Sequence, residues 1–273
     1  MSPRHSVRVL VSLLLLTHVF GLPGFGGEAR IISLVPEITE FLLEMGGGNA
    51  LVGISDTCAL PGDTALIPRV GSIELNMEKI VALKPTAIFD LNGAHKRYEL
   101  LFRQLSLTYV NIGIDRLADI PSAAVRLANE LGTPERGAAF MAAWDRELSG
   151  LSSRHGHPKP RIYIETWDAP LQSATEKSFI GQLVQLAGGE NVISDSSSRY
   201  PVVTDLQVIN SNPEVILIAY PIGDISRIGS RPGWGDIDAV RKKRVYQLDD
   251  AYIRPGSAVL KNISRLSDII QKR

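Results

Sequence analysis

The residues best able to do chemistry lie in short aromatic and polar clusters that follow apolar runs. Trp167 stands in Ile164-Glu165-Thr166-Trp167-Asp168-Ala169-Pro170, and Tyr200 in Ser198-Arg199-Tyr200-Pro201. Trp234 lies in a turn-like Arg231-Pro232-Gly233-Trp234-Gly235, and Asp250, Tyr252 and Arg254 share Asp249-Asp250-Ala251-Tyr252-Ile253-Arg254-Pro255-Gly256. Aromatic faces stack on flat ligands. A loop arginine grips amide oxygens or anions through its planar fork. The pattern points to capture of a small molecule.

Catalytic spacings are missing. The chain has no His-Glu-x-x-His, no Gly-x-Ser-x-Gly and no Gly-x-x-x-x-Gly-Lys-Ser/Thr. Adjacent carboxylates such as Asp249 and Asp250 do not make an acid/base couple. His155 and His157 sit two apart in a Gly/Pro segment with no third ligand beside them, which reads as a solvated linker. His95 is the one histidine placed for a cleft. The reading is a binding protein with no catalytic residue, no metal site and no cofactor of its own. A single cysteine, Cys58, rules out an internal disulfide and a cysteine-held cluster. It reads either as a ligand contact or as a small buried residue beside a turn. With 29 basic and 29 acidic side chains there is no net field to hold a phosphate backbone, so nucleic acid is not an expected partner.

Residues 1–29 are read as a secretory signal peptide. Arg4, His5 and Arg8 precede an apolar run from Val9 to Phe20, and a Gly/Pro segment follows. The run falls short of the roughly 20 residues that span a membrane. Cleavage is expected after Ala29 or Gly27, leaving an exported protein of about 244 residues. Removing Arg4, Arg8 and Glu28 leaves 27 basic and 28 acidic residues, a net charge of −1.

The elements that must position these residues follow from pattern. Strands are predicted at Arg30–Val35, Ala50–Ser55, Thr86–Asp90, Thr108–Ile112, Arg161–Thr166, Val215–Ala219 and Arg244–Leu248, as apolar or β-branched runs. Helices are predicted at Pro36–Met45, Asn76–Leu83, Arg97–Leu105, Ile120–Leu131, Phe179–Ala187, Asp205–Asn210 and Ser257–Lys272. Thr133-Pro134-Glu135 opens a longer helix of some twenty residues. The two halves echo each other: Asn76–Asp90 can be laid on Thr204–Ile218 with Pro85 on Pro213, and Gly47-Gly48-Asn49 has a counterpart in Gly188-Gly189-Glu190-Asn191. This gives an α/β protein of two lobes, each a mostly parallel sheet with flanking helices. One long backbone helix joins them, and the ligand cleft lies between. The expected division is signal peptide 1–29, first lobe 30–132, backbone helix 133–157 and second lobe 158–273.

Arg69-Val70-Gly71 followed by Asn76-Met77-Glu78-Lys79-Ile80-Val81-Ala82-Leu83-Lys84-Pro85 resembles the signature of cobalamin- and iron-siderophore-type periplasmic binding proteins of ABC importers. Ser33-Leu34-Val35-Pro36-Glu37, Leu51-Val52-Gly53-Ile54-Ser55 and Arg254-Pro255-Gly256 support it over nearly the whole mature chain. The stretch before Ser178-Phe179-Ile180-Gly181 and the Cys58 loop look most like the cobalamin branch. The resemblance implies a monomer that captures a corrinoid such as cobalamin and delivers it to an inner-membrane ABC permease. A ferric siderophore or haem is the alternative within the family. It implies ligand contacts at Trp167, Tyr200, Asp250, Tyr252, Arg254 and Cys58. Ile73 falls near a position where the family can carry an aromatic. The resemblance also implies permease docking through one acidic residue per lobe. Glu78 matches in the first lobe. In the second the matching residue is Leu206, so the neighbouring Asp205 is the candidate.

Overall fold

The computed structural model describes residues 29–58, 66–152, 159–194 and 197–272; the proposed signal peptide through residue 28, His155 and His157 lie outside them. The first half is a four-stranded parallel sheet in the order β2-β1-β3-β4, made of β1 (Ile31–Ser33), β2 (Leu51–Ile54), β3 (Ala87–Leu91) and β4 (Tyr109–Ile112). Helices α1 (Pro36–Glu44), α2 (Met77–Ala82), α3 (Glu99–Gln104) and α4 (Ile120–Glu130) make the connections. The central strands β1 and β3 are buried along their whole length, which is why their sequences are continuous rather than alternating apolar runs.

Next comes α5 (Pro134–Ser152), 19 residues and about 28 Å long. The second sheet runs β6-β5-β8-β9, with β7 also paired to β5. Its members are β5 (Arg161–Asp168), β6 (Leu171–Ser173), β7 (Glu190–Asn191), β8 (Val215–Ile218) and β9 (Val245–Gln247). All pairs are parallel except the β5–β6 hairpin. Helices α6 (Phe179–Leu186), α7 (Asp205–Ser211), α8 (Asp238–Arg241), α9 (Asp250–Ile253) and α10 (Val259–Gln271) accompany it. The predicted α/β class and parallel sheets are borne out. The hairpin strand β6, the two-residue β7 and the short α8 and α9 are not among the predicted elements.

The internal echo is physical. Arg30, just before β1, donates from Nη2 to the Leu83 carbonyl at the end of α2 (2.7 Å). Arg161, opening β5, donates to the Asn212 carbonyl after α7 (2.6 Å). Each arginine thus neutralises the negative end of a helix. Lys84 and Asn212, the residues before Pro85 and Pro213, both adopt positive φ (48° and 37°). The glycine runs also match in geometry. Gly46 and Gly188 take φ of 85° and 86°, and the next amide closes onto the helix: Gly47 to Leu42 O (2.7 Å) and Gly189 to Val184 O (2.9 Å). Glycine runs there stop helices, as left-handed caps do, and cradle no phosphate.

One apolar cluster runs from the first sheet through α5 into the second sheet. Phe140 of α5 meets Phe41 of α1 at 6.0 Å and so ties α5 to the first half; Trp144, a buried core residue, stacks on Phe140 at 6.1 Å.

Candidate functional site

Polar contacts between the halves join first-half residues just past the carboxyl ends of strands to loops and a helix of the second half. Asp115, after β4, meets Arg199 at 3.6 Å, and Glu37, after β1, meets Arg254 at 3.9 Å. The Leu117 amide donates to Gln182 Oε1 (3.0 Å). The carboxyl edges of the two sheets therefore face each other, the arrangement in which open α/β sheets take ligands.

The first wall is a concavity of 350 Å³ whose lining includes Val35, Ser55, Thr57, Ile73, Gly93 and His95. Its most exposed apolar group is Ile73, 76% accessible, on a tight loop from Gly71 to Leu75. Gly71 has φ of 100°, and a Cβ there would lie 2.1 Å from the Glu74 carbonyl oxygen, so only glycine closes this loop. The loop is held from three sides. The Gly71 amide donates to Asp56 (3.1 Å), Tyr98 OH donates to Glu74 (2.7 Å), and Arg97 donates to both Ile73 O and Glu74. His95 holds the fourth side: its Nε2 is 2.7 Å from the Ser72 carbonyl. Its Nδ1 is 2.9 Å from Asp90 Oδ1, and its backbone amide donates to Asp90 Oδ2 (2.8 Å). Tyr109 OH also donates to Asp90 (2.6 Å). Asp90 is fully buried, and burial alone would raise its pKa. The hydrogen bonds from His95 and Tyr109 outweigh that and hold the carboxyl below its ordinary value.

The second wall carries Trp167, half exposed, at the end of β5. Its indole N–H donates to Ala169 O (3.0 Å), and its ring lies 5.9 Å from that of Tyr220. Tyr220 OH donates to Glu165 (2.7 Å), which is fully buried and takes a two-pronged bond from Arg231, both contacts 2.7 Å. Burial opposes the Arg231 charge, but the bonds to Glu165 prevail and raise its pKa. The guanidinium covers the Trp234 ring at 4.5 Å. Trp234 is itself fully buried, edge-on to Tyr163, a core residue of the second half.

The other expected contacts fall in different places. Tyr200 is 43% exposed beside the Arg199–Asp115 seam. Tyr252 lies half-buried in α9; Asp250 opens that helix, but its side chain is outside the described part. Arg254 faces Glu37 across the seam. Next to it, Gly256 passes so close to α1 that a Cβ would meet Glu40 Oε2 at 2.3 Å. Burial raises the pKa of Glu40, with Arg254 opposing and Glu37 and Glu44 adding to the rise. Cys58 departs from the ligand-contact expectation. Its thiol is 1% exposed and 3.3 Å from Thr39 Oγ1, and burial pushes its pKa up, so it is a core residue and a poor nucleophile. Asp205 is exposed at the start of α7, but its Oδ1 accepts the Trp234 indole N–H (2.7 Å). Glu78 is exposed in the first turn of α2 and makes no hydrogen bond or ion pair among the described residues. Leu206, in the corresponding turn of α7, is 69% exposed.

Sequence reasoning missed the Asp90–His95 and Glu165–Arg231 networks. The available signal was a carboxylate inside a buried apolar run: Asp90 in AIFDL, and Glu165 at the end of the buried Ile162-Tyr163-Ile164-Glu165 of β5. Among the described residues no group of three His, Cys, Asp or Glu is placed to hold a metal, and no helix is long and apolar enough to cross a membrane.

Residues 31–252 match the family described as periplasmic binding protein. The vitamin B12-binding protein of Pectobacterium atrosepticum is 31% identical over 219 residues, covering 77% of this chain and 76% of that one. The crystal structure of the periplasmic vitamin B12 binding protein BtuF of Vibrio cholerae superposes with a TM-score of 0.71 at 25% identity, over 89% of this chain and 98% of the other. A possible iron-binding, periplasmic solute-binding protein of Staphylococcus epidermidis superposes with a TM-score of 0.81 at 20% identity, over 89% and 98%.

Proposed function

The chain belongs to the periplasmic binding protein family, and from that premise we propose that it captures a corrinoid, cobalamin first, and hands it to an inner-membrane ABC importer. The observation that carries this reading is the pair of preformed walls at facing strand ends. Exposed Ile73 stands on one and half-exposed Trp167, backed by Tyr220, on the other. A corrin ring is a broad, flat, largely apolar disc fringed with amides. It buries well between such walls, and the rim polar groups satisfy the amides. Because both walls are tied to buried carboxylates, little ordering is needed on binding. The vitamin B12-binding relatives support the same ligand.

Haem would need an axial ligand from His95, Tyr200 or Tyr252, and the histidine is the poorest placed of the three. His95, the histidine candidate for an axial ligand, has both ring nitrogens engaged, by Asp90 and by the Ser72 carbonyl. Gel filtration of the mature protein with cyanocobalamin or with haemin separates the two readings. Red corrin absorbance is expected in the protein peak, and a colourless peak with cyanocobalamin but a haemin-loaded one would reverse the assignment.

Docking on the permease is asymmetric in this reading. Glu78 offers a free carboxylate at the start of α2. At the equivalent place in the second lobe, the Asp205 carboxylate is tied to Trp234, which leaves Leu206 as the outward group. The partner surface would then be basic opposite the first lobe and apolar opposite the second. Glu78→Ala is expected to leave cobalamin affinity unchanged and to slow association with the liposome-reconstituted importer by about tenfold at low salt. Lost affinity in this variant would instead make Glu78 part of the cleft.

A further inference from the structure

His95 stands where the first wall meets the core. It is 6% exposed, and oxygen acceptors face both of its ring nitrogens: the Asp90 carboxylate at Nδ1 and the Ser72 carbonyl at Nε2. A carbonyl oxygen cannot donate, and Asp90 is held ionised by Tyr109 and the His95 amide. Both ring nitrogens must therefore donate, which only the imidazolium does. A neutral ring would set one nitrogen lone pair against an oxygen lone pair in a buried place.

The Ser72 carbonyl belongs to the loop that presents Ile73 to the cleft. We propose that His95 is a positioning residue of the binding site: as an imidazolium clamped between Asp90 and Ser72 it holds the Ile73 loop in the first wall, and ligand affinity weakens when it loses its proton. This rests on the reading that the first wall takes the ligand.

The charged and titratable groups around the ring are few. Asp90 comes from β3, Tyr109 reaches Asp90 from β4, and Arg97 follows in the next turn. Glu74, on the loop itself, is occupied by Tyr98 and Arg97, and Glu99 acts on Tyr109 from α3. The hydrogen bond to Asp90 raises the pKa of His95 most. Burial opposes it, the Ser72 carbonyl adds to it, and Arg97 subtracts. The sign follows. The clamp is complete below the ordinary histidine value near 6.5 and is lost as pH rises through the higher folded value. The second wall has no such dependence, since its buried carboxylate is paired with an arginine whose pKa is raised further still. One wall of the cleft is thus proton-sensitive and the other is not.

Two readouts test this. In free protein, NMR should show the His95 ring and the Ser72, Ile73 and Glu74 amides titrating with one midpoint above 6.5, with the amide movement absent in His95→Gln. In binding, cyanocobalamin affinity should fall roughly tenfold between pH 6 and pH 9 in wild type. In His95→Gln it should be weak and flat. The first readout needs no ligand, so a protein that ignores cobalamin but shows the coupled titration refutes the ligand and not the clamp. Loop amides that stay fixed while the ring titrates overturn the proposal, and wild type alone decides this if His95→Gln does not fold. A wild-type affinity that is flat with pH, or a pH dependence shared by His95→Gln, overturns it too.

Discussion

Glu165→Ala is expected to destabilise the protein by about 3–5 kcal/mol, the range for removing one partner of a buried ion pair. The Glu165 side chain is inaccessible and that of Arg231 is 21% accessible, so the variant strands a guanidinium in the second lobe. It also leaves the Tyr220 hydroxyl without its acceptor and removes the anchor beneath Trp167. For a chain of this size the loss corresponds to roughly 6–20 °C in Tm, readable by calorimetry. The double variant Glu165→Leu/Arg231→Leu should recover most of it, because the desolvation penalty disappears with the charges. An alanine variant that melts with wild type would mean that water reaches the pair and that the network does not stiffen the wall.

Trp167→Ala should weaken cobalamin binding by about 2 kcal/mol, some 30-fold, with little change in Tm. The indole is half exposed, so truncation removes little from the core. It does remove the flat face beside Tyr220 on which a ligand ring can stack. Trp167→Phe should retain part of the affinity. Calorimetric titration measures both, and an unchanged Kd in the alanine variant would return Trp167 to a packing role on Tyr220.

The fold was legible because its signals are local. Strands buried on both faces read as unbroken apolar runs, such as Ala87-Ile88-Phe89 and Val215–Ile218. Caps announce helices within four residues: Asn76 accepts from the Lys79 amide, Ser178 from Gly181 and Thr204 from Gln207. The hairpin strand β6 was missed because its three residues follow a Pro170 turn that reads as a loop. The site was less legible because its chemistry is non-local. Arg231 lies 66 residues from Glu165, and Ser72 lies 23 from His95. No spacing rule joins them. Trp234, after Pro232-Gly233, reads as a turn residue packing on its own lobe, and Tyr163, Asp205 and Arg231 enclose it there. Cys58 looked available in its loop, and only the packing against Thr39 shows that the thiol points inward.

The two walls are expected to hold a corrinoid between them. Titration of the mature protein with cyanocobalamin, followed by quenching of tryptophan fluorescence at pH 6, tests it most directly, because Trp167 lies on the wall. Saturable one-to-one binding is expected, with Kd below ~1 µM, about −8 kcal/mol, and a quench that shrinks in Trp167→Phe. No saturable quench at tens of micromolar cyanocobalamin would contradict it.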